Sequence, residues 1–454
     1  MGRKAKQSHT PAPEVRHRTH KPPGPPQAQR RETPTARKPK TWGDNDTVND
    51  GDTFADLLTP EGQALLAELR DHDPADELAA ATRLRREHPA ALVSAALGQA
   101  RLRQRAVAKF GADAWRMYFT PNGVEQSTRA TVAAHRATRL AALGVRTLAD
   151  LCCGIGGDAI ALARAGIRVL AVDRDPLACA AARANAEALG LAEWIEVRCA
   201  DVTEVDTAGY DAVFVDPARR SKARGGRIFD PEAYSPPLSW AVEAARKAPV
   251  AALKIAPGVP HEALPEDAET EWISDGGDVK EAVVWFGAAG DGADRITSGG
   301  RRATLLPAGD SLLGAGLPDP EPGPVGDWLY EPDGAVIRAH LVADVAEQLD
   351  GRLIDPTIAY ITADRLTATP YATAYAITDV LPFHVKKLKA LLRERGVGIA
   401  VIKKRGSAVE PEELRKKLKL GGGRTSCTIF LTRVAGAPTM LLGHPATDPV
   451  TPGR

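Results

Sequence analysis

Cysteine is scarce in this chain, and its few copies are not spaced as metal sites or disulfide frameworks require. The five cysteines include no CxxC pair, and the ten histidines include no HExxH motif. Neither a zinc site nor a disulfide scaffold is indicated, so no metal is predicted. The cysteines are Cys152, Cys153, Cys179, Cys199 and Cys427.

Long apolar runs are also missing. No segment approaches the roughly 20 consecutive apolar residues that cross a bilayer, and the N-terminus lacks the apolar stretch of a signal peptide. With 454 residues, 43% hydrophobic and 26% charged, the chain can bury a large core in two or three domains. We therefore expect a cytoplasmic protein without a membrane partner.

The net charge of +1 conceals a strongly basic N-terminal segment. Residues 1–40 contain eleven bases and two acids, so they carry +9 and the rest of the chain carries −8. The segment is rich in proline and poor in large apolar residues, which predicts a disordered tail over residues 1–50. Such an arm could attract polyanions such as RNA. A solubilising tail with no specific partner is the alternative.

A glycine-rich turn is the most informative feature of the sequence. An apolar strand over residues 145–151 precedes it, and a helix that ends at Gly166 follows it. Glycine permits backbone angles closed to other residues and lets a ligand touch the main chain at the helix N-terminus. Asp150 stands four residues before the turn, whose glycines are Gly154, Gly156 and Gly157. The arrangement predicts a nucleotide-binding cradle.

Three further acids end the next three predicted strands. They are Asp173, Asp201 and Asp216, after strands over residues 167–172, 194–200 and 210–215. The carboxyl ends of parallel strands form the edge where open sheets bind ligands. The spacing Gly154-x-Gly156-x-x-Ala159 also fits NAD-dependent enzymes, which share the acid at Asp173. NAD enzymes need no acid at Asp201, where an adenine amine could donate a hydrogen bond.

This ordered set resembles the class I S-adenosylmethionine-dependent methyltransferases, which implies S-adenosyl-L-methionine as the cofactor. The resemblance implies that the glycine turn holds the methionine part and that Asp150 reaches its amino group. Asp173 would then reach the ribose and Asp201 the adenine. The alternative is that each acid is an ordinary helix cap or solvated loop residue. The predicted cofactor-binding residues are Asp150, Cys152, Gly154, Gly156, Gly157, Asp158, Asp173, Arg174, Asp201 and Val202.

The predicted fold class is α/β, built on a Rossmann-like seven-stranded class I methyltransferase sheet. A strand over residues 250–255 and an antiparallel pair over 271–274 and 281–286 complete the seven strands. The glycine- and proline-rich start of residues 307–372 indicates a linker. The predicted divisions are an N-terminal helical subdomain (51–143), the methyltransferase sheet (144–306), a linker and connecting segment (307–372), a small α/β domain (373–443) and a tail (444–454).

The small C-terminal domain carries its own resemblance. Its predicted strands (375–380, 397–402 and 427–432) alternate with helices over residues 382–395 and 411–420. Three motifs are similar to those of bacterial methyltransferases with a C-terminal THUMP-like domain, and the similarity runs from about Thr53 to Gly443. The motifs are Val380-Leu381-Pro382-Phe383, Ile402-Lys403-Lys404-Arg405-Gly406 and Thr428-Ile429-Phe430-Leu431-Thr432-Arg433.

An RNA substrate is implied by the same resemblance. The methyltransferase half is similar to the RNA cap guanine-N2 methyltransferases, the trimethylguanosine synthases, and true THUMP domains are associated with RNA binding. Lys403, Lys404 and Arg405 lie between two helices that carry further bases. Clustered bases of this kind favour a phosphate-binding surface, although solvation alone also explains charge on a helix face.

The residues after the fourth strand are the candidates for handling the methyl acceptor. Cap enzymes have Ser-Pro-Pro-Trp there, whereas this chain has Asp216-Pro217-Ala218-Arg219 without an aromatic ring. Ser235-Pro236-Pro237-Leu238 looks similar, but it lies too far along the chain to be expected at the site. No cysteine lies in or beside the motif, which argues against covalent methylation of pyrimidine C5.

We predict that Asp216 orients the acceptor, that Pro217 turns the backbone toward the ligand, and that Arg219 stacks on a base or holds a phosphate. A solvated loop is the alternative for the arginine. The sequence therefore indicates an S-adenosylmethionine-dependent methyltransferase acting on RNA by direct in-line displacement. A nicotinamide-dependent oxidoreductase and a noncatalytic RNA-binding protein that retains a cofactor pocket stay open as rivals.

Overall fold

The computed structural model describes residues 49–218, 231–287, 292–421 and 423–446. Contacts divide the chain after Thr47, and every described residue belongs to the second unit. Nearly all of the predicted basic tail lies outside the described residues, and the first helix already begins at Asn49. No helix within the described ranges is long and apolar enough to cross a membrane.

Six helices form the N-terminal part of the body, as the apolar spacing predicted. They are α1 (Asn49–Leu58), α2 (Pro60–Glu68), α3 (Glu77–Leu84), α4 (Ala90–Phe110), α5 (Pro121–Gln126) and α6 (Ala130–Ala142). Helix α4 buries Val93, Leu97 and Ala100, which share one face at helical spacing. Helices α2 and α5 begin at prolines, after Thr59 and Thr120 side chains that accept backbone N–H bonds as N-caps.

A nine-stranded sheet forms the centre of the molecule, in the order β3-β2-β1-β4-β5-β7-β6-β8-β9. Strands β1 to β5 run parallel, and three helices connect them. The elements are β1 (Thr147–Leu151), α7 (Gly157–Arg164), β2 (Arg168–Asp173), α8 (Pro176–Ala188), β3 (Ile195–Cys199), β4 (Ala212–Val215), α9 (Leu238–Lys247), β5 (Val250–Ile255), β6 (Glu269–Asp275), β7 (Asp278–Phe286), β8 (Arg301–Leu306) and β9 (Asp310–Leu313).

The strand order confirms the predicted class I sheet. Strand β1 lies between β2 and β4, so the direction of winding reverses there and a crevice opens at the carboxyl ends of these strands. Strand β7 lies antiparallel between β5 and β6, as expected. The sheet has two more strands than predicted, because β8 pairs with β6 and β9 pairs with β8. Strand β8 was not predicted because it begins with two arginines, which are typical of exposed segments. Arg302 is nevertheless buried and donates to Glu269.

A second, seven-stranded sheet forms the C-terminal part, in the order β11-β12-β10-β13-β16-β15-β14. Its elements are β10 (Trp328–Pro332), α10 (Gly334–Arg338), α11 (Val342–Gln348), β11 (Arg352–Asp355), β12 (Ile358–Ala363), β13 (Ala372–Pro382), α12 (Val385–Glu394), β14 (Val397–Lys404), α13 (Pro411–Leu418), β15 (Thr425–Val434) and β16 (Ala437–Pro445). Helices α12 and α13 cover one face with Leu388, Leu392, Leu414 and Leu418.

The prediction of a linker over residues 307–372 is wrong. This segment contributes β10, β11 and β12 to the second sheet, and Tyr330 and Tyr360 from these strands are fully buried. The pairing of Leu329 with Tyr375 joins β10 to β13, whose edge would otherwise be open. The predicted C-terminal tail also begins too early, since β16 continues to Pro445. Residues 447–454 lie outside the described residues.

Candidate cofactor and acceptor site

The turn between β1 and α7 has the left-handed backbone that its glycines predicted. The φ angles are +55° at Gly154 and +81° at Gly156, and Gly156 caps α7 at its N-terminus. Cys152 has a φ of +70° although it carries a side chain. Burial, reinforced by Asp173 and Asp216, raises the pKa of its thiol well above the ordinary value, which makes it a poor nucleophile. Backbone N–H groups at this helix start suit a carboxylate ligand.

A single asparagine joins this turn to the helical subdomain. The Asn185 side chain, from α8, donates to the carbonyls of Ile155 at 2.9 Å and Tyr118 at 3.1 Å. Its Oδ1 accepts from the Tyr118 N–H at 2.6 Å. The residue is completely buried. The helical subdomain therefore positions the turn through hydrogen bonds and not through apolar packing alone.

Asp150 is a buried carboxylate without a hydrogen-bond donor. The residue is fully buried, and neither side-chain oxygen has a partner in the described chain. Burial raises the pKa of Asp150 well above its ordinary value, and repulsion from Asp158 and Asp216 adds to this effect, while Arg136 opposes it. An unpaired buried acceptor is costly, so this position is suited to a cationic ligand group.

Asp173 is fixed at the carboxyl end of β2, next to the turn. Its Oδ2 accepts the Gly154 N–H and its Oδ1 accepts the Asp175 N–H, both at 2.9 Å. Each carboxylate oxygen has a second lone pair that these bonds leave free. Arg174 is exposed beside it. The geometry orients the carboxylate toward the crevice end of the sheet without using its full hydrogen-bonding capacity.

Asp201 and Val202 lie directly after β3. Asp201 is exposed, and its Oδ1 accepts from the Thr203 N–H at 2.9 Å and from the Thr203 hydroxyl at 2.8 Å. These two bonds lower the pKa of Asp201, so it is ionised at neutral pH. Its other oxygen has no bond to any described residue. Val202 is buried at the start of the following turn.

Asp216 follows β4 and is held at both its backbone and its side chain. Its N–H donates to the carbonyl of Leu151 at 3.1 Å, and its Oδ2 accepts from Lys254 Nζ at 2.7 Å. Lys254, in β5, also donates to the Thr128 hydroxyl at 2.8 Å. The Thr128 hydroxyl in turn donates to Asp158 Oδ2 at 2.7 Å, which links Asp216 to the cofactor turn.

A buried arginine completes this charged cluster. Arg136 Nη1 donates to Glu281 Oε1 at 3.0 Å, its Nη2 lies 3.5 Å from Asp158 Oδ1, and the guanidinium stacks on the Phe214 ring at 4.4 Å. Burial, the largest effect, raises the pKa of Glu281 although Arg136 opposes it. The cluster holds four acids and two bases: Asp150, Asp158, Asp216 and Glu281 with Arg136 and Lys254.

Three members of this cluster were missed by the sequence analysis: Arg136, Lys254 and Glu281. A signal was present for two of them. Lys254 stands inside the apolar strand Val250–Ile255, and Glu281 opens an apolar run, so both predict a buried charge that needs a partner. Arg136 carries no such signal, because an arginine on a helix face is ordinary.

The predicted acceptor motif is described only in part. Pro217 is buried, while Arg219 lies outside the described residues. Ala218 and Ser235 exchange two backbone hydrogen bonds of 2.9 and 3.1 Å. Ser235-Pro236-Pro237, judged too distant along the chain, is therefore brought back beside the motif. Distance along the chain does not separate the two segments in space, because antiparallel pairing joins residues that are remote in sequence.

The predicted basic turn of the C-terminal domain begins inside strand β14, and its three bases are paired with two acids. Lys403 bonds to Glu331, from which Arg405 is 4.0 Å distant, and Lys404 bonds to Glu410. Lys403 and Arg405 also lie over the rings of Tyr375 and Tyr360, respectively. Exposed bases without an ion pair to any described residue lie instead on α12 and α13 and just after them: Lys386, Lys387, Arg393, Lys416, Lys417, Lys419 and Arg424.

Comparison with known proteins identifies the family. Residues 148–219 match the methyltransferase domain family, residues 372–445 a THUMP domain-like family, and residues 50–106 a domain of unknown function, DUF8688. The chain is 36% identical over 345 residues to an uncharacterized S-adenosylmethionine-dependent methyltransferase of Mycobacterium tuberculosis, in strains H37Rv and CDC 1551. The match covers 73% of this chain and 90% of that relative. The chain belongs to the S-adenosylmethionine-dependent methyltransferases.

The fold of this methyltransferase is also found in a solved structure. A putative methyltransferase from Porphyromonas gingivalis W83 superimposes with a TM-score of 0.69, at 22% identity, over 86% of this chain and all of that one. The cofactor is S-adenosylmethionine, which removes the nicotinamide alternative. The unpartnered, buried Asp150 beside a left-handed glycine turn fits a cofactor that carries an ammonium and a carboxylate.

Proposed function

We propose that this methyltransferase transfers the methyl group to RNA, to a base amine or another nucleophile, in the cytoplasm. The observation that carries the proposal is the position of Asp216, at the crevice edge of the sheet and linked through Lys254 and Thr128 to the cofactor turn. A residue in that position can contact the acceptor while hydrogen bonds connect it to the turn that holds the cofactor. The THUMP-like domain supports RNA as the acceptor.

Within this proposal, each predicted cofactor residue has a defined partner. Asp150 would hold the ammonium, and the backbone of the turn from Cys152 through Gly154, Gly156 and Gly157 to Asp158 would hold the carboxylate. Asp173, which precedes Arg174, would accept from the ribose hydroxyls, and Asp201, which precedes Val202, would accept from the adenine amine. When bound, the cofactor supplies an electrophilic methyl carbon on a sulfonium.

The acceptor site needs alignment more than chemical activation. Asp216 accepts a hydrogen bond from the N–H or O–H of the acceptor and so directs its lone pair toward the methyl carbon. The acidic cluster around Asp216 favours a neutral hydrogen-bond donor over an anionic acceptor. Pro217 fixes the backbone after the carboxylate. Arg219 remains a candidate for holding a base or phosphate.

The RNA surface is assigned to the faces of α12 and α13. These helices lie side by side, since Lys389 Nζ donates to the Lys417 carbonyl at 3.5 Å. Their exposed lysines and arginines have no acidic partner in the described chain, whereas the bases of the 403–405 turn do. Unpaired bases release counterions on binding phosphate, while paired ones must first lose their partner. We therefore move the predicted phosphate contacts from the turn to these helices.

Nucleoside mass spectrometry tests the proposal. RNA from a strain lacking the gene is digested and compared with RNA from the parent strain and from a strain that carries Asp216→Ala. One methylated nucleoside should be absent from both the deletion strain and the mutant strain. A deletion strain with an unchanged set of methylated nucleosides would contradict the RNA assignment. Incubation of cell extract with tritiated S-adenosylmethionine would then identify the true acceptor, if the label is transferred to protein or to small molecules. No transfer at all would favour a noncatalytic binding protein.

A further inference from the structure

Lys254 is a buried cation aimed at a residue of the proposed acceptor site. Its side chain is only 5% exposed, and its ammonium lies 2.7 Å from Asp216 Oδ2, 2.8 Å from the Thr128 hydroxyl and 3.9 Å from Glu281 Oε2. These three oxygens come from three separate parts of the chain: just after β4, just before α6 and within strand β7. The ammonium therefore occupies the point where these elements meet.

The surroundings hold the ammonium in one place. Thr128 is fixed by its own bond to Asp158, and Glu281 is fixed by Arg136. Burial by itself would lower the pKa of Lys254, but attraction to Asp216, Glu281 and Asp158 raises it overall. The lysine is therefore charged at neutral pH, and its proton is not available for transfer.

Among the three residues whose oxygens surround the Lys254 ammonium, only Asp216 has a side chain that is partly exposed. Its side chain is 23% exposed, compared with 3% for Glu281. Oδ2 is taken by Lys254, and Oδ1 has no hydrogen bond to any described residue. The carboxylate thus has one inner oxygen that is held and one outer oxygen that is available.

We propose that Lys254 is the positioning residue for Asp216: it holds Oδ2 inward so that Oδ1 faces the methyl acceptor. The acceptor part of this statement rests on the proposed function, whereas the orientation of the carboxylate does not. On this proposal Lys254 acts on the acceptor only through Asp216, while its bond to Thr128 connects it to the cofactor turn, so affinity for S-adenosylhomocysteine is measured beside turnover. The alternative is that Lys254 only neutralises the acidic cluster.

A double-mutant cycle on turnover separates the two roles. Lys254→Met, Asp216→Asn and the double variant are assayed with tritiated S-adenosylmethionine and RNA from the deletion strain. Misplacing an aligning group by 1 Å can cost about a hundredfold, so each single variant should lose about that much. The double variant should be no slower than Asp216→Asn within a few fold. Lys254→Arg should restore most of the turnover. Multiplicative losses in the double variant would overturn the proposal.

Arg302→Met is the matched control. It removes another buried cation of the same sheet. Arg302 lies in β8 and pairs with Glu269 of β6, not with Asp216. The control should leave the turnover of the folded protein within a few fold of wild type. If Lys254→Met does not fold, Lys254→Gln replaces it, since it retains a hydrogen-bond donor and loses the charge.

A crystal structure of Lys254→Met with S-adenosylhomocysteine tests the orientation without any acceptor. The Asp216 carboxylate should turn away from Thr128 or occupy more than one rotamer. An Asp216 side chain that keeps its wild-type orientation would overturn the positioning role. If the wild-type enzyme labels no RNA, the proposal of an RNA substrate is wrong. The crystal structure of Lys254→Met still tests whether Lys254 orients Asp216.

Discussion

Asn185 makes hydrogen bonds to both backbone polar groups of Tyr118, which lie 67 residues earlier in the chain. The same side chain also donates to Ile155, in the cofactor turn. Three main-chain groups from two parts of the molecule are thus satisfied by one buried amide. This one side chain therefore connects the helical subdomain to the cofactor turn, in addition to the bond between Thr128 and Asp158.

Replacing Asn185 by leucine should destabilise the protein and weaken cofactor binding. The substitution leaves the Tyr118 N–H and the Tyr118 and Ile155 carbonyls buried without partners, which should cost about 3 kcal/mol or more. Urea unfolding measures the free-energy change, and calorimetry with S-adenosylhomocysteine measures affinity. Asn185→Asp, which keeps the acceptor for the Tyr118 N–H but places a carboxylate oxygen against the two carbonyls, should also destabilise the protein. A loss below about 1 kcal/mol would show that water replaces the amide.

Asp173→Ala should weaken cofactor binding without unfolding the protein. The carboxylate accepts the Gly154 N–H, and on the proposed function it also accepts from the ribose, so its removal loses ligand bonds and loosens the turn. Charge-assisted bonds of about 1.5–3 kcal/mol correspond to roughly a ten- to hundredfold loss of affinity. Calorimetry with S-adenosylhomocysteine on the folded variant measures this loss. Unchanged affinity would remove Asp173 from the cofactor site.

Cofactor affinity should rise with pH because of Asp150. Its pKa is raised in the free protein by burial and by Asp158, Asp216 and Asp173, with Arg136 opposing. A bound ammonium favours the ionised carboxylate, so binding releases a proton and strengthens as pH rises toward the pKa of the free protein, then levels off. The same raised pKa means that the Asp150 contribution to the stability of the free protein is lost as pH rises through that value.

Calorimetry in two buffers of different ionisation enthalpy counts the released proton. The pH dependence of affinity should be reduced in Asp150→Asn, which cannot ionise. Proton uptake on binding, or an Asp150→Asn variant with the wild-type pH dependence, would show that another group is titrating. The variant should also bind more weakly, because it offers no charge to the ammonium.

The two basic surfaces of the C-terminal domain should differ in their effect on RNA binding. Alanine at Lys386, Lys387, Lys416 and Lys417 should reduce the slope of log affinity against log salt by roughly 0.7–0.9 for each lost phosphate contact. Alanine at Lys403, Lys404 and Arg405 should change it much less, because those bases are paired with Glu331 and Glu410. Both sets are compared in a chain lacking residues 1–48, whose bases would mask the difference. If the variant at Lys403, Lys404 and Arg405 shows the larger change in salt slope, the phosphate contacts lie at those residues, as the sequence predicts.

The sequence predicted those features whose signal is local. The strand Val250–Ile255 has the predicted bounds, and the acids at the ends of the first four strands stand at the predicted edge. Lys403 shows where local reasoning ends, because its partner Glu331 is 72 residues upstream in a segment predicted to be a linker. The contacts of Lys254 were missed for the same reason. The oxygens around its ammonium come from residues 27 to 126 positions away, which hydrophobic spacing does not bring together.

The most direct test of the account is methyl transfer by Asp216→Ala. Wild type and variant are incubated with tritiated S-adenosylmethionine and RNA from the deletion strain, and affinity for S-adenosylhomocysteine is measured in parallel. We expect that wild type labels the RNA, and that the variant labels none while its cofactor affinity stays within a few fold. A variant that transfers methyl groups normally, or one whose cofactor binding collapses, would contradict the role of Asp216 at the acceptor.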